Sequence, residues 1–166
     1  MLERRWAYGV ALLILLADQA SKWFVAGPLQ LQEVRQIVLL PIFNLTWTEN
    51  RGISLGLLHA TSETARWILV AMTTAIAIAI AVWIVREKRF GDQLALGMVL
   101  GGAIGNILDR SRFGYVVDFA DLHFGDFRPF LVFNVGDAAI SIGVVILLLR
   151  AFLFRPARPE EKIEHA

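Results

Sequence analysis

Cysteine is absent from this chain of 166 residues, so disulfides, thiol catalysis and cysteine metal sites are excluded. Charge is also scarce: Asp, Glu, Lys and Arg make up 19% of the sequence, against about 25% in soluble domains. The hydrophobic share is 57%, and the net charge is +1. The basic residues cluster at segment ends and form no patch, so we expect no nucleic-acid partner. These features favour a single integral membrane domain, residues 1–166.

Metal-binding and phosphate-binding patterns are also missing from the sequence. His59, His123 and His165 are scattered and lack metal-ligand spacing, and we expect all three to be surface residues. No glycine-rich phosphate loop is present. We therefore expect no metal and no cofactor.

Four apolar runs predict helices at about residues 6–24, 67–85, 93–109 and 137–154. A helix needs roughly 20 apolar residues to cross the hydrocarbon core of a bilayer. The third run is shorter, and glycines on one flank predict close packing against neighbouring helices. Arg150, near the end of the fourth run, is able to snorkel to the interface. The predicted fold is an all-α polytopic membrane protein with four transmembrane helices.

Lysine and arginine predict the orientation of these helices. Nine of the sixteen lysines and arginines lie in the tails, at the end of the fourth helix or in the short turn after the second helix. These places are all on one side of the membrane if four helices alternate in direction. Both termini are therefore predicted to be cytoplasmic. A cleaved signal peptide is the alternative for residues 1–20, but the residues that follow its apolar core make a poor cleavage site. The nine are Arg4, Arg5, Arg86, Lys88, Arg89, Arg150, Arg155, Arg158 and Lys162.

The loop at about residues 28–62 predicts a small extracytoplasmic β-sheet between the first two helices. Phe43-Asn44-Leu45-Thr46-Trp47-Thr48 alternates apolar and polar residues as a strand does, and residues 37–40 are a candidate partner strand. Asn50-Arg51-Gly52 then predicts a turn.

The second outer loop, residues 111–133, is rich in phenylalanine. We expect it to dip into the membrane interface with some helical or hairpin character. The polar tail, about residues 156–166, is expected to be disordered.

Asp118 and Asp137 lie at the edge of the membrane, in the second outer loop and at the start of the last helix. An ionisable residue in such a place is a functional hypothesis by default. Capping explains Asn134 as N-cap and Asp137 at the third helical position, but it does not explain Asp118. The helix dipole favours an ionised Asp137, whereas apolar neighbours disfavour charge on Asp118. Two carboxyls in such different environments, one favouring the ionised form and the other the protonated form, supply one general base and one general acid.

Other polar residues lie near the ends of the predicted helices. Asp18 and Lys22 are four residues apart on one helical face, where an ion pair that stabilises the helix is as good an explanation as a function. Asn106, Asp109 and Arg110 close the third helix. An ordinary polar helix end explains them, but Asn106 and Asp109 share a face, and we favour a functional role.

Five sequence blocks resemble, in order and spacing, those of the bacterial lipoprotein signal peptidase (signal peptidase II) family. The resemblance implies a four-helix intramembrane aspartic endopeptidase of the bacterial cytoplasmic (inner) membrane. Its substrates would be diacylglyceryl-modified prolipoproteins, cleaved just before the lipidated cysteine. The blocks are Asp18-Gln19-Ala20-Ser21-Lys22, Asn50-Arg51-Gly52, Gly101-Gly102-Ala103-Ile104-Gly105-Asn106-Ile107-Leu108-Asp109-Arg110, Val116-Val117-Asp118-Phe119 and Phe133-Asn134-Val135-Gly136-Asp137.

The same resemblance implies roles for individual residues. Asp118 and Asp137 match the catalytic dyad, at the extracytoplasmic surface. It also implies membrane lipid as a partner, and we expect the chain to function as a monomer. Substrate binding or support is implied for Asn50, Asn106, Arg110, Asn134, Asp109, Asp18 and Lys22.

Two positions depart from the family pattern. Leu55 lies where a phenylalanine is common, which could reshape a loop that contacts substrate. Gly136 replaces an alanine and loosens the start of the last helix by about 1 kcal/mol. Neither change removes a carboxylate.

Two other classes of protein also place acidic residues in membranes. A proton- or cation-coupled transporter is the main alternative. The absence of an internal repeat and the position of the acidic residues near one surface, away from the midplane, count against it. A structural or assembly subunit, in which the polar residues bind partner helices, is the third class.

Overall fold

The computed structural model describes residues 2–53, 58–59 and 63–153. Its four long helices agree with the four predicted apolar runs to within a few residues at most ends. Leu55, which departs from the family pattern, and the tail from residue 156 lie outside the described residues. The elements in chain order are α1 (Leu2–Ala26), α2 (Leu31–Val34), β1 (Gln36–Leu40), β2 (Phe43–Asn50), β3 (Gly52–Ile53), β4 (Leu58–His59), α3 (Glu63–Arg86), α4 (Phe90–Phe113), β5 (Val116–Leu122) and α5 (Val135–Leu153).

Three of the long helices are long and apolar enough to cross a membrane: Arg4–Ala26 within α1, and the whole of α3 and α5. α4 is as long as α3 but less apolar, and its contacts explain why. It packs against α1, α3 and α5 and has buried residues from Asp92 to Asp109, whereas α3 and α5 bury few. A helix enclosed by other helices needs no apolar lipid face. The crossing of α4, and hence the count of four spans, stays a prediction.

Glycines let α4 approach its neighbours closely, as their spacing predicts. A Cβ at Gly101 would collide with the backbone carbonyl of Ala11 in α1. A Cβ at Gly102 would collide with the carbonyl of Gly136 in α5. The backbones of the three helices are therefore in contact at these points, which is the packing that small residues allow in membranes.

Gly105 makes room for a buried carboxylate, and this gives a test of the packing. A Cβ at Gly105 would collide with Asp18 Oδ2, and Asp18 is fully buried. We expect Gly105→Ala to push α1 and α4 apart and to destabilise the fold by about 1–3 kcal/mol, measured by thermal unfolding in detergent. Gly9→Ala is the matched control, because nothing lies within 4 Å of a Cβ there. Equal unfolding midpoints for the two variants would contradict the packing.

The sheet of three strands has the order β1-β2-β5 with antiparallel pairs. The predicted strand at residues 43–48 and its partner at 37–40 are confirmed as parts of β2 and β1. The third strand, β5, was not predicted, because it comes from the second outer loop. The residues of β5 are buried on both faces from Val116 to Asp121, so the strand lacks the alternation that marks a half-exposed strand.

The remainder of the second outer loop forms a tight hairpin after β5. Phe124 and Phe127 exchange backbone hydrogen bonds of 2.8 and 3.2 Å, and both side chains are exposed. The loop thus has hairpin character, and the described residues between β5 and α5 include no helix.

A cluster of apolar side chains joins β5 and β2 to the end of α1 and to α2. α4 ends at Phe113, and the N–H of Gly114 donates to the carbonyl of Arg110 at 3.1 Å. The φ of 84° at Gly114 then turns the chain out of the helix and into β5. This packing fixes the strand that carries Asp118. The cluster consists of Val25, Leu31, Trp47, Val117, Phe119 and Ala120.

Two polar residues differ from the predictions. Arg150 does not simply snorkel, because its Nε donates a hydrogen bond to the carboxylate of Asp92 and ties the end of α5 to the start of α4. His123 was expected at the surface but is half-buried, with Nε2 enclosed. The prediction missed it because His123 directly follows the buried strand β5.

Candidate active site

Asp118 is carried by β5 and is almost fully buried, with 1% of its surface exposed. Asn50, at the end of the neighbouring strand β2, donates from Nδ2 to Asp118 Oδ2 at 3.0 Å. Asn134 Nδ2 donates to the other oxygen, Asp118 Oδ1, at 2.6 Å. Each oxygen of this carboxyl therefore has an amide partner, and the two partners come from different parts of the chain.

Asp137 begins α5 in a capping box with Asn134. The backbone N–H of Asp137 donates to Asn134 Oδ1 at 2.8 Å, and the N–H of Asn134 donates to Asp137 Oδ2 at 3.2 Å. The capping predicted from the sequence is thus confirmed. A carboxylate in this position lies at the positive end of the helix dipole, which favours its ionised form.

Asn106 of α4 links the two carboxyl groups. Its Oδ1 accepts hydrogen bonds from Asn134 Nδ2 at 3.2 Å and from Lys22 Nζ at 3.1 Å. These donors fix the orientation of the amide, so Nδ2 points to Asp137 Oδ1 at 2.8 Å. A continuous chain of hydrogen bonds therefore runs from Asp118 through Asn134 and Asn106 to Asp137.

Lys22 anchors this chain from behind, between two buried carboxylates. Its Nζ lies 2.7 Å from Asp18 Oδ2 and 2.8 Å from Asp109 Oδ2, and all three side chains are at most 6% exposed. The pairing of Asp18 with Lys22 predicted from helical spacing is confirmed, and Asp109 of another helix joins it. Buried charges of this kind are stable only when they are paired and hydrogen-bonded.

The two supporting carboxylates also hold the elements that carry the candidate dyad. Asp18 Oδ1 accepts the backbone N–H of Gly136 at 2.9 Å, and this N–H belongs to the unpaired first turn of α5. Asp109 Oδ2 accepts the N–H of Val117, next to Asp118 in β5, at 3.2 Å. A movement of α1 against α4 would therefore displace both Asp118 and Asp137.

Sequence reasoning missed two residues of this region. Gln19 Nε2 donates to Asp109 Oδ1 at 3.0 Å and to Asp18 Oδ2 at 3.2 Å, so it completes the supporting group. Arg66 donates to the carbonyls of Arg110 and Ser111 at 2.8 and 2.5 Å and holds the end of α4. A signal existed for Arg66, because a cation in the first turn of a helix opposes the helix dipole and needs a partner elsewhere.

Arg110 is the predicted site residue with the fewest polar contacts. Its guanidinium lies in the electrostatic field of Asp137, Asp118 and Asp109. Its Nε is buried and has no hydrogen-bond partner among the described residues. The structure thus brings all nine predicted site residues into one region, with Arg110 held there by charge.

Burial raises the pKa of Asp118 to about 7, and the charge of Asp137 acts in the same direction. The hydrogen bonds from Asn50 and Asn134 and the charge of Lys22 oppose this rise. A carboxyl with such a pKa is a hydrogen-bond donor below neutral pH. A protonated Asp118 beside an ionised Asp137 can perform acid–base chemistry on one water molecule.

A cavity of about 240 Å³ adjoins this pair on the Asp137 side. Apart from Asp137 its lining is mostly apolar, and it lies between the second outer loop and the first turns of α5. No group of three or more His, Asp or Glu side chains within the described ranges could hold a metal ion. The lining residues are Phe130, Phe133, Asp137, Ala138, Ser141 and Ile142.

The fold indicates the general class of protein to which this chain belongs. It is similar to two solved structures, each described as a bacterial membrane enzyme: one is 26% identical with a TM-score of 0.76 and covers 90% of this chain and 94% of the other. The second is 24% identical with a TM-score of 0.75 over 92% of this chain and 93% of the other, which bears on the fold alone. The molecule is thus a polytopic membrane protein with the fold of bacterial membrane enzymes.

The sequence then identifies the family. The family described as signal peptidase (SPase) II matches residues 10–153. Lipoprotein signal peptidase of Rhizorhabdus wittichii is 56% identical over 98% of this chain and 95% of its own length, and that of Sphingopyxis alaskensis is 57% identical over 86% and 83%. The chain belongs to the signal peptidase II family, as the sequence blocks predicted, and it is therefore a membrane peptidase.

Proposed function

We propose that this peptidase is an intramembrane aspartic endopeptidase that removes the signal peptide of diacylglyceryl-modified prolipoproteins, just before the lipidated cysteine. The observation that carries the proposal is the hydrogen-bonded chain between Asp118 and Asp137, in which the two carboxyls have different environments. The names of the curated relatives support the substrate class.

In the proposed mechanism the two aspartates have separate tasks. Asp137, ionised at the start of α5, takes a proton from the attacking water. Asp118, protonated, donates a hydrogen bond to the scissile carbonyl and stabilises the oxyanion that develops there. When the intermediate collapses and the C–N bond breaks, the leaving amine takes the proton that Asp137 accepted from the water. No covalent intermediate and no metal or other cofactor is required.

Arg110 is proposed to bind the substrate backbone beside the dyad. Its buried Nε is a donor without a partner among the described residues, and a substrate carbonyl would satisfy it. Asn50, Asn106 and Asn134 are proposed to orient the two carboxyls, and Asp18, Lys22 and Asp109 to support them. Such fixed orientation raises the rate because the reacting groups need no rearrangement.

The pH dependence of the rate follows from the pKa of Asp118, which is about 7. Because the protonated carboxyl is the acid, kcat is expected to fall as pH rises through 7, approaching tenfold per unit well above it. The measurement is kcat on a lipidated precursor peptide between pH 5 and 9, after a check that enzyme returned from pH 9 to pH 6 recovers its activity. A rate that still rises between pH 7 and 9 would contradict this assignment.

We further propose that all four long helices cross the bacterial inner membrane, with both termini in the cytoplasm and the dyad at the extracytoplasmic surface. The distribution of lysine and arginine supports this orientation. A reporter fused after Arg158 is expected to be cytoplasmic and one inserted near His59 extracytoplasmic. An extracytoplasmic C-terminal reporter would remove a span and overturn the topology.

The experiment that tests the function is cleavage by the purified chain in detergent. A precursor peptide that carries diacylglyceryl-cysteine is expected to be cut once, before the cysteine, by the protein as a monomer. An intact peptide after prolonged incubation would refute the proposal.

A further inference from the structure

The cavity beside Asp137 opens onto the face of α5 that other helices do not cover. In the most apolar 18-residue stretch of α5, only 17% of the residues are buried inside the protein. Below the cavity, Ile142, Val145 and Leu149 follow one another on one helical face, and each is about half exposed, at 51%, 53% and 54%. An apolar chain that leaves the cavity along this face therefore passes directly into the lipid region.

The chemistry of the cavity wall restricts what it can hold. Phe130, Phe133, Ala138 and Ile142 are apolar, and the oxygens of Asp137 already accept hydrogen bonds from Asn106 and Asn134. Ser141 adds an exposed hydroxyl one helical turn from Asp137, about 6 Å along the axis.

A peptide segment would bring backbone N–H groups that find few acceptors among these side chains, at a cost for each unpaired group. An ester brings only acceptors, and the Ser141 hydroxyl is a donor. The wall thus favours an apolar ligand with an ester carbonyl over a peptide backbone.

We propose that this cavity binds the glyceryl ester region of the diacylglyceryl group, with the Ser141 hydroxyl donating to an ester carbonyl and the acyl chains lying along α5. The inference rests on the proposed function, since the group would be attached to the cysteine after the scissile bond. Through the cysteine, only a few single bonds separate the esters from the scissile peptide bond, on which Asp137 is proposed to act. The cavity then recognises the lipid, and the dyad acts on the peptide.

Two ligands without a scissile bond test the proposal on the purified full chain. One is an N-acetylated diacylglyceryl-cysteine amide with ester-linked chains, and the other is its ether-linked analogue, which lacks the carbonyls. Ser141→Ala is expected to weaken equilibrium binding of the ester ligand about two- to tenfold and to leave binding of the ether ligand unchanged. Equal effects on both ligands, or no effect on either, would overturn the role of Ser141.

Ala138→Leu tests the cavity itself, because the larger side chain occupies part of its volume. We expect at least tenfold weaker binding of both ligands. Ala151→Leu is the matched control, since Ala151 is exposed on the same helix about 20 Å away, and it is expected to bind like wild type. Unfolding midpoints of the variants show whether a loss of binding reflects a loss of fold.

The outcomes separate this inference from the function on which it rests. If Ala138→Leu binds both ligands normally but loses affinity for an unlipidated precursor peptide, the cavity holds a peptide side chain and the inference is wrong. If wild-type protein cleaves a lipidated precursor yet binds neither ligand, the inference fails and the function stands. If wild-type protein cleaves no precursor, the proposed function is wrong, and this inference, which rests on it, is wrong as well.

Discussion

Asp118→Asn and Asp137→Asn are each expected to abolish cleavage of a lipidated precursor, with a loss of at least about 10²–10⁴-fold. Asparagine keeps the shape of the side chain but can neither accept the proton of the attacking water nor donate an acidic proton to the carbonyl. Each aspartate accepts hydrogen bonds on both oxygens, so each variant keeps an oxygen for one of its donors and turns an NH2 group toward the other. Membrane insertion and expression are therefore expected to be intact, and turnover is measured with purified protein.

Asp121→Asn is the matched control for these two variants. Asp121 is also buried in β5, at 2% exposure, but its oxygens bind Thr46 and Arg128 and lie outside the chain of hydrogen bonds that links the candidate dyad. It is expected to retain cleavage. Normal turnover by either dyad variant would contradict the assignment of Asp118 and Asp137 as catalytic. An equal loss of cleavage in all three variants would also contradict it.

Lys22→Met is expected to have the largest effect on stability. It leaves the carboxylates of Asp18 and Asp109 buried, close together and without their cation. Removing one partner from a buried ionic group typically costs about 3–5 kcal/mol, which should appear as a lower unfolding midpoint in detergent. Lys88→Met, the same change at an exposed position in the turn before α4, is expected to leave the midpoint unchanged.

A triple variant distinguishes the charge effect from the loss of orientation. Lys22→Met combined with Asp18→Asn and Asp109→Asn removes all three charges, and we expect it to recover much of the stability lost by the single variant. Cleavage is expected to stay slow, because Asn106 loses one of the two donors that orient its amide. A triple variant as unstable as Lys22→Met would contradict the account.

Local patterns in the sequence were enough for much of this region. The capping box follows from Asn134 and Asp137 three residues apart at the start of an apolar run, and the pair of Asp18 and Lys22 follows from spacing on one helix. The alternation predicted the strand at residues 43–48, whereas Asn50, predicted in a turn, is the last residue of β2. Each of these features depends on residues that are close in the chain.

The parts that the sequence did not reveal depend on residues far apart in the chain. β5 is buried on both faces, so neither its membership of the sheet nor its partner strand can be recognised from alternation. The bond of Lys22 to Asp109 and the bonds of Arg66 to the end of α4 join different helices, and spacing within one helix carries no information about them.

α4 has a weaker apolar pattern than α3 and α5, because a helix enclosed by other helices needs no apolar lipid face. Its position among the other three helices accounts for its glycines and polar side chains. The cavity beside α5 had no sequence signal, since its apolar residues look like any membrane-facing turn.

The central claim is that Asp118 and Asp137 activate a water to cut a lipidated precursor. Its most direct test is mass spectrometry of the products formed in ¹⁸O-labelled water from a precursor peptide that carries diacylglyceryl-cysteine. The account predicts one cut just before the cysteine and one ¹⁸O atom in the new carboxylate of the released signal peptide after a single turnover, with no product from the Asp118→Asn and Asp137→Asn double variant. An uncut peptide with wild-type protein, or the same labelled product with the double variant, would contradict it.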